Sequence, residues 1–249
     1  MTPAEPSREG HSPLPAWLFL ADLRSHGGEI VLGDDDAHYV ARVCRAQPGD
    51  HVTATDGAGG VATLEVLTVR GEVRARLVTR REAPRGARAI VACGAPEKDR
   101  ADWLVEKLAE LGVAELQPLE CARGGWERFA SRRDRFERLA AAALRQSRRA
   151  WKLGIAEPLR PVDWLAGLSG EGRRWLADAE GEPAAGVQGQ AALDRVAVGP
   201  ASGFDPSERE ALRRAGFTPI RLASARLRTE TAAVVWASLW AAGELTGGS

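Results

Sequence analysis

The chain has 249 residues, of which 44% are hydrophobic and 27% charged, and its 34 basic side chains equal its 34 acidic ones. This is the composition of a globular protein with one large or two smaller domains, and the zero net charge by itself says nothing about partners. No apolar run reaches the ~18–20 residues of a membrane span, and residues 1–15 lack the apolar centre of a signal peptide. We therefore expect a cytoplasmic protein, with residues 1–16 as a disordered extension.

The cysteine and histidine residues favour neither a metal site nor a histidine-dependent hydrolase. Cys44, Cys93 and Cys121 are odd in number and lack CxxC spacing, which predicts buried thiols in a reducing compartment. The four histidines all lie in the N-terminal part of the chain, at positions 11, 26, 38 and 51. We therefore expect no bound metal and no Ser/His/Asp triad.

Residues 17–82 have the pattern of a small β-rich domain. Alternating β-favouring residues surround Asp56-Gly57, which predicts a hairpin turn, and alternation returns in "GEVRARLVTRRE". One short helix is predicted at 34–45, with carboxylates in its first turn. We expect these residues to form a small β-barrel.

Strands and helices alternate over residues 83–249, which predicts a parallel sheet covered on both faces. Buried strands are expected in "AIVACGA", "VAELQPLE", "RRWLADA", "RVAVGP" and "TPIRLA". Helices are expected at 99–112, 131–150, 205–216 and from Thr231 onward. Their predicted caps are the pairs Asp99 and Asp102, Ser131 and Asp134, and Asp205 and Glu208, with Gly112 and Gly216 at the C-terminal ends.

Two predicted strand ends carry candidate ligand loops, because ligands of such sheets bind beyond the carboxyl ends of the strands. "GPASG" (199–203) is either a loop passing close to a ligand or an ordinary tight turn between strand and helix. "RLRTETAA" places Arg228, Glu230 and Thr231 at the start of the last helix. A cation at the start of a helix opposes the helix dipole, so we expect Arg228 to pair with another group, such as a phosphate or a carboxylate.

Residues 121–152 contain ten Arg and Lys against three Asp and Glu. This local excess fits either a surface for RNA or a solvated helix face. At its end, Arg148, Arg149 and Lys152 surround Trp151, a combination of charge and stacking surface that suits RNA. The alternative is a helix C-terminus, where cations are favoured in any case.

Taken together, these segments resemble the RsmE family of bacterial 16S rRNA (uracil-N3) methyltransferases of the SPOUT class. The resemblance rests on "EKDRADWLVEKLAELGVAELQPL", "RQSRRA", "VGPASGF" and "LASARLRTETAA", which occur in the family's order. "DAHYVARVCRAQPGDHVTATDGAGG" resembles the family's first domain. The chain departs from the family's GPEGGF and LGPRILRTETA at Ala201, Ser202, Ala223, Ala225 and Arg226.

The resemblance implies a PUA-like β-barrel over residues 17–82 and an α/β domain with a trefoil knot over 83–249. It also implies a homodimer formed through the knotted domain, with S-adenosylmethionine bound in the knot. The implied cofactor-binding residues are Leu176, Ala177, Gly199, Pro200, Ala201, Gly203, Leu222, Ala223, Leu227, Arg228 and Thr231.

Methylation of uracil N3 requires loss of a proton and stabilisation of charge on the ring oxygens. We expect Glu230 to accept the proton or orient an arginine, and Arg228 to stabilise the uracilate or hold a phosphate. The residues expected to bind RNA are Arg45, Arg123, Arg148, Arg149 and Lys152. The alternatives are a SPOUT enzyme that methylates another RNA site and a relative that binds RNA without catalysis. A hydrolase or phosphotransferase lacks its expected nucleophile elbow or P-loop.

Overall fold

The computed structural model describes residues 16–97, 100–185, 187 and 191–244, with only the backbone of residue 244. The chain divides into two compact units between Pro84 and Arg85, two residues from the predicted boundary at 82/83. The predicted extension at 1–15 and the predicted cap at Asp99 lie outside the described residues. Ala16, placed in that extension by the prediction, is buried, and its carbonyl accepts the N–H of Thr53.

The N-terminal unit is a five-stranded sheet in the order β1-β3-β4-β5-β2. Only the β1–β3 pair is parallel among its described strand pairs. The predicted helix is present and continues into a π-helical turn, Tyr39–Val43. The elements are β1 (Trp17–Phe19), β2 (Glu29–Val31), α1 (Asp34–His38), β3 (His51–Thr55), β4 (Gly60–Thr68) and β5 (Arg74–Glu82).

The predicted hairpin joins β3 to β4 and is organised by the buried carboxylate of Asp56. Its Oδ1 accepts the N–H groups of Ala58 at 2.7 Å and of Gly60 at 2.8 Å. Its Oδ2 accepts Nε of Arg24 at 2.5 Å. Gly60 is required here, because a Cβ at this position would lie 2.5 Å from Asp56 Oδ2. These contacts make the turn a structural element of the unit.

We expect Asp56→Asn to lower the free energy of unfolding at pH 7 by about 1–3 kcal/mol, because an amide cannot accept all three hydrogen bonds. Burial raises the pKa of Asp56, but the Ala58 and Gly60 N–H groups and Arg24 outweigh it and leave the pKa below its usual 3.8. A depressed folded-state pKa stabilises the fold above the unfolded pKa, and this stabilisation is lost as pH falls below it. Urea unfolding at pH 7 and near pH 3 should therefore show the difference between variant and native protein shrinking in acid.

The control for this prediction is Asp22→Asn, since Asp22 is exposed and pairs only with His26 among the contacts described. We expect its unfolding free energy to change by no more than about 0.5 kcal/mol at pH 7. Equal effects of the two substitutions, or a loss at Asp56 that does not depend on pH, would contradict the role given to this carboxylate.

The C-terminal unit is a six-stranded sheet in the order β11-β9-β10-β6-β7-β8, and every described pair in it is parallel. The parallel sheet predicted from the alternation of strands and helices is thus confirmed. Its strands are β6 (Arg88–Gly94), β7 (Glu115–Leu119), β8 (Gly154–Ile155), β9 (Arg173–Pro183), β10 (Leu193–Val198) and β11 (Thr218–Arg221). Its helices are α2 (Arg100–Glu110), α3 (Phe129–Ser147), α4 (Pro161–Ala166), α5 (Pro206–Arg214) and α6 (Thr229–Glu244).

Both faces of this sheet are covered, as successive strand residues show. In β10, Val196 and Val198 pack into the core formed with α2, α3 and α6. Ala197, between them, packs instead with Trp164 of α4 and Leu212 of α5. The strands therefore read as continuous apolar runs, because a parallel sheet buries both of its faces. No helix among the described residues combines the length and apolarity needed to cross a membrane.

The helix ends test the predicted caps. At α5, the Asp205 carboxylate accepts the N–H of Glu208, and the Glu208 side chain accepts the N–H of Asp205, which confirms the predicted capping box. At α3 the prediction was wrong: the helix begins after Arg128, whose φ is 61°, and the described contacts include no side-chain cap. The short α4 was not predicted, because its six residues are too few to show helical periodicity.

Candidate functional site

A cavity of about 450 Å³ lies where β9, β10 and β11 end. These three strands are neighbours in the sheet, so their carboxyl ends meet at one edge. Three segments provide most of the lining, namely 176–180 within β9, 198–204 at the end of β10 and 220–227 at the end of β11. The prediction that the loops after β10 and β11 share a site is thus consistent with the fold.

The wall that β9 provides is a large bulge in the ladder between β9 and β11. Pro219 is paired with Leu176, whereas the next residue, Ile220, is paired with Glu182, so five residues of β9 loop out between them. Gly181 closes the bulge, since a Cβ there would lie 2.5 Å from the nitrogen of Ile220 and 2.6 Å from the carbonyl carbon of Pro219. Residues of the bulge therefore line the cavity, and β9 resumes its pairing with β11 beyond them.

The wall after β10 is a tight loop that several glycines allow. Gly203 has a φ of 76°, and a Cβ on Gly199 would lie 2.9 Å from the nitrogen of Phe204. Beneath the loop, Gly94 at the end of β6 lets Pro200 approach closely. The Thr229 hydroxyl donates to the carbonyl of Gly199 at 2.9 Å and ties the loop to the start of α6.

Two residues that depart from the RsmE pattern hold this same loop in place. Arg226 donates through Nη2 to the carbonyl of Ala201 at 2.8 Å. The Ser202 hydroxyl donates to the carbonyl of Arg123 at 2.8 Å. Two of the five departures therefore help to hold the loop, and one of them, at 226, contacts the backbone of another, at 201.

The structure brings together nine of the eleven residues predicted to bind a cofactor, since they all line the cavity. These residues are Leu176, Ala177, Gly199, Pro200, Ala201, Gly203, Leu222, Ala223 and Leu227. Arg228 and Thr231 are outside the described lining. Arg228 is exposed and follows the lining residue Leu227, which puts it next to the cavity.

Glu230, predicted to accept the proton or to orient an arginine, is only 3% exposed and is also outside the described lining. Its Oε2 is buried without a hydrogen-bond partner among the described residues.

The thiols of Cys93 and Cys121 both have raised pKa values. For Cys93 the main cause is burial, followed by electrostatic interactions with Cys121 and Glu230. Burial raises the pKa of Cys121 to about 12. Both thiols are therefore protonated at neutral pH and are not nucleophiles. Cys44 was also predicted to be buried, but it is only half-buried, so that prediction was wrong for this residue.

The residues predicted to bind RNA fall into two groups. Arg149 donates through Nε to the carbonyl of Glu110 at 2.9 Å, and Lys152 lies 2.5 Å from Glu137, so both have partners inside the unit. Arg123 and Arg148 are exposed in the C-terminal unit, and Arg45 is exposed in the N-terminal one. The exposed residues have the charge available for phosphates, whereas the paired ones support the fold around α3.

Five charged residues in the lining were not among the predicted site residues, namely Asp178, Glu180, Arg209, Arg221 and Arg226. Asp178 lies in the bulge of β9, and Arg209 reaches the cavity from α5. Leu176 and Ala177 were predicted to bind the cofactor, but only the register of β9 against β11 shows that Asp178 is part of the same wall. Among the described residues, no group of three or more His, Cys, Asp or Glu is placed to hold a metal ion.

Comparison with protein families identifies the fold that carries this cavity. The model of a family described as "RNA methyltransferase domain" matches residues 82–241, which is more than half of the chain. The chain belongs to this RNA methyltransferase family. A second model, "RNA methyltransferase PUA domain", matches residues 32–77 and confirms the PUA-like nature of the N-terminal unit.

Individual relatives agree with membership in the RNA methyltransferase family. The chain is 26% identical over 215 residues to "Ribosomal RNA small subunit methyltransferase E" of Synechocystis, covering 83% of this chain and 70% of that one. It is 33% identical over 135 residues to the protein of that name from Aquifex aeolicus, covering 53% of this chain and 58% of that one. The expected resemblance to RsmE proteins is thus confirmed.

Solved structures show the same architecture. A probable rRNA-methyltransferase from Porphyromonas gingivalis has a TM-score of 0.78 and 28% identity, and the match covers 89% of this chain and 95% of that one. Ribosomal RNA small subunit methyltransferase E from Neisseria gonorrhoeae, solved bound to S-adenosyl methionine, has a TM-score of 0.77. At 22% identity, with 90% of this chain and 98% of that one covered, the second likeness concerns the fold.

Proposed function

We propose that the chain is an S-adenosylmethionine-dependent methyltransferase that methylates N3 of a uridine in the 16S rRNA of the small ribosomal subunit. The observation that carries the proposal is the cavity at the ends of β9, β10 and β11 in a member of the RNA methyltransferase family. The names of the curated relatives supply the small-subunit rRNA as substrate class. The reaction belongs in the cytoplasm, where small subunits are found.

The residues around the cavity fit the proposed cofactor. A volume of about 450 Å³ lies within the usual range for small-molecule sites. Leu176, Leu222 and Leu227 give apolar surface for a base, and the glycine-containing loop 199–203 offers backbone groups at close range. S-adenosylmethionine supplies a methyl group on a sulfonium centre, which is open to attack by a nucleophile. The protein's task is to hold donor and acceptor in line.

The acceptor side requires a group that stabilises negative charge on the uracil ring. Arg228 is an exposed cation next to the cavity, so in this proposal it holds the deprotonated uracil through the ring oxygens. Glu230 is buried below the helix start and outside the lining, which does not favour direct contact with the acceptor proton. We therefore leave proton removal to solvent or to the RNA. Glu230 lies in the first turn of α6, where the helix dipole favours a carboxylate.

Exposed arginines of both units supply contacts for the RNA backbone in this proposal. They are Arg45 in the N-terminal unit and Arg123 and Arg148 in the C-terminal one. Arg123 lies next to the cavity, because Ser202 of the cavity loop donates to its carbonyl. A homodimer formed through the C-terminal unit and a knot near the cofactor are part of the same proposal.

The test is to incubate the protein with labelled S-adenosylmethionine and 30S subunits from a strain that lacks its own enzyme. We expect label in 16S rRNA, recovered as 3-methyluridine after digestion. Label at another nucleoside or in another RNA would instead support a SPOUT enzyme with a different target. Binding of the subunit without methyl transfer, and without cofactor binding by calorimetry, would indicate an RNA-binding relative.

A further inference from the structure

One wall of the cavity contains a buried carboxylate whose hydrogen bonds are incomplete. Asp178 lies in the five-residue bulge of β9, and its side chain is only 7% exposed although it lines the cavity. Its Oδ1 accepts the N–H of Glu180 at 3.1 Å. Its Oδ2 is buried and has no hydrogen-bond partner among the described residues.

The nearest cations do not complete these hydrogen bonds. Nη1 of Arg209 and Nη2 of Arg213 each lie 3.7 Å from Asp178 Oδ2, which is beyond the range of a hydrogen bond. A buried acceptor left without a donor is costly. Because Asp178 faces a cavity, a ligand in that cavity can supply the missing donor.

The surrounding charges select the kind of donor. Two guanidinium groups within 4 Å of Asp178 offset its negative charge, and Arg209 itself lines the cavity. A ligand ammonium group at this place would be repelled by Arg209, since like charges at short range disfavour each other. A hydroxyl group meets no such repulsion and can still donate to the carboxylate. The site therefore favours a neutral donor.

We propose that Asp178 accepts a hydrogen bond from a ribose hydroxyl of the bound nucleoside cofactor and so sets specificity for ribose over deoxyribose. This assignment rests on the proposed function, because it takes the cavity to be the cofactor site. Carboxylates that bind ribose hydroxyls have this role in other nucleotide-binding α/β folds. Arg209 and Arg213 hold the carboxylate in place and keep it from attracting a cation.

The experiment measures binding rather than activity. Calorimetry with the full chain compares S-adenosylhomocysteine with its 2′-deoxy and 3′-deoxy analogues, for the native protein, Asp178→Asn and Asp178→Ala. We expect the native protein to bind the ribose form at least about tenfold more tightly than one of the deoxy forms, the usual effect of a hydrogen bond to a charged group. Asp178→Ala should bind the ribose form about tenfold more weakly and lose this discrimination, whereas Asp178→Asn keeps a weaker, neutral acceptor and should lose less of both.

The control is Asp163→Asn, an exposed aspartate of α4 that pairs with Arg160, and thermal melting verifies that every variant is folded. If Asp178→Ala binds the ribose form as tightly as the native protein, the assignment is overturned. Weaker binding that keeps full discrimination would place the carboxylate on another group of the ligand and also overturn it. Failure of the native protein to bind S-adenosylhomocysteine would instead overturn the proposed function, and the assignment with it.

Discussion

Gly94→Ala is expected to lower the free energy of unfolding by about 1–3 kcal/mol and to weaken binding of S-adenosylhomocysteine at least about tenfold. Gly94 is buried at the end of β6, directly beneath the cavity loop. A Cβ there would lie 2.7 Å from Cδ and 2.9 Å from Cα of Pro200, and closer still to its nitrogen. These atoms belong to backbone and ring, so relief requires the whole loop to move.

Urea unfolding and calorimetry measure the two effects. Gly167→Ala is the matched control, because the nearest atom to its added Cβ is the Trp164 carbonyl oxygen at 3.6 Å, an ordinary contact. We expect that variant to differ from the native protein by no more than about 1 kcal/mol and to bind normally. If Gly94→Ala behaves like the control, the loop is not held against β6 as described.

Arg228→Ala is expected to reduce the rate of methyl transfer about a hundredfold while leaving the affinity for S-adenosylhomocysteine unchanged. The loss of rate follows from removing a cation that stabilises charge on the acceptor. The unchanged affinity follows from the position of Arg228, which is exposed and outside the described cavity lining. Single-turnover methylation of 30S subunits and calorimetry together separate the two quantities.

Arg214→Ala provides the control, since Arg214 is an exposed arginine of α5 whose partner is Glu210 in the next turn. It should methylate at the native rate. Arg228→Lys keeps the charge without the planar guanidinium and should recover part of the activity. A native rate for Arg228→Ala would remove Arg228 from the mechanism, whereas a loss of cofactor affinity would make it a cofactor-binding residue.

Local signals in the sequence were reliable where a few neighbouring residues decide the structure. Asp205, Pro206 and Glu208 are sufficient for a helix start, and the structure has the predicted capping box. Ser131 and Asp134 have similar spacing, but α3 begins earlier, because Phe129 and Phe136 pack into the core and set where the helix must lie. Packing between distant segments thus overrode the local signal.

The cavity shows the same limit for the functional residues. Glycines and apolar residues at the strand ends could be assigned to the lining because loops after neighbouring parallel strands share an edge. The direction in which an individual side chain points could not be predicted from the sequence, since it depends on helix phase and strand register. Glu230 points into the interior, and Asp178 enters the wall only through the shift in pairing at Ile220.

The hydrogen bonds that hold the loop 199–203 also affect how the protein folds. Its hydrogen bonds reach partners 25, 30 and 79 residues away in the chain, at Arg226, Thr229 and Arg123. We expect such contacts to form late in folding, because closing a long loop costs chain entropy before the contact can stabilise the fold. Ligand binding at this loop should therefore report completed folding of the C-terminal unit, and a bound ligand should slow hydrogen exchange in β6 and α6 as well as in the loop itself.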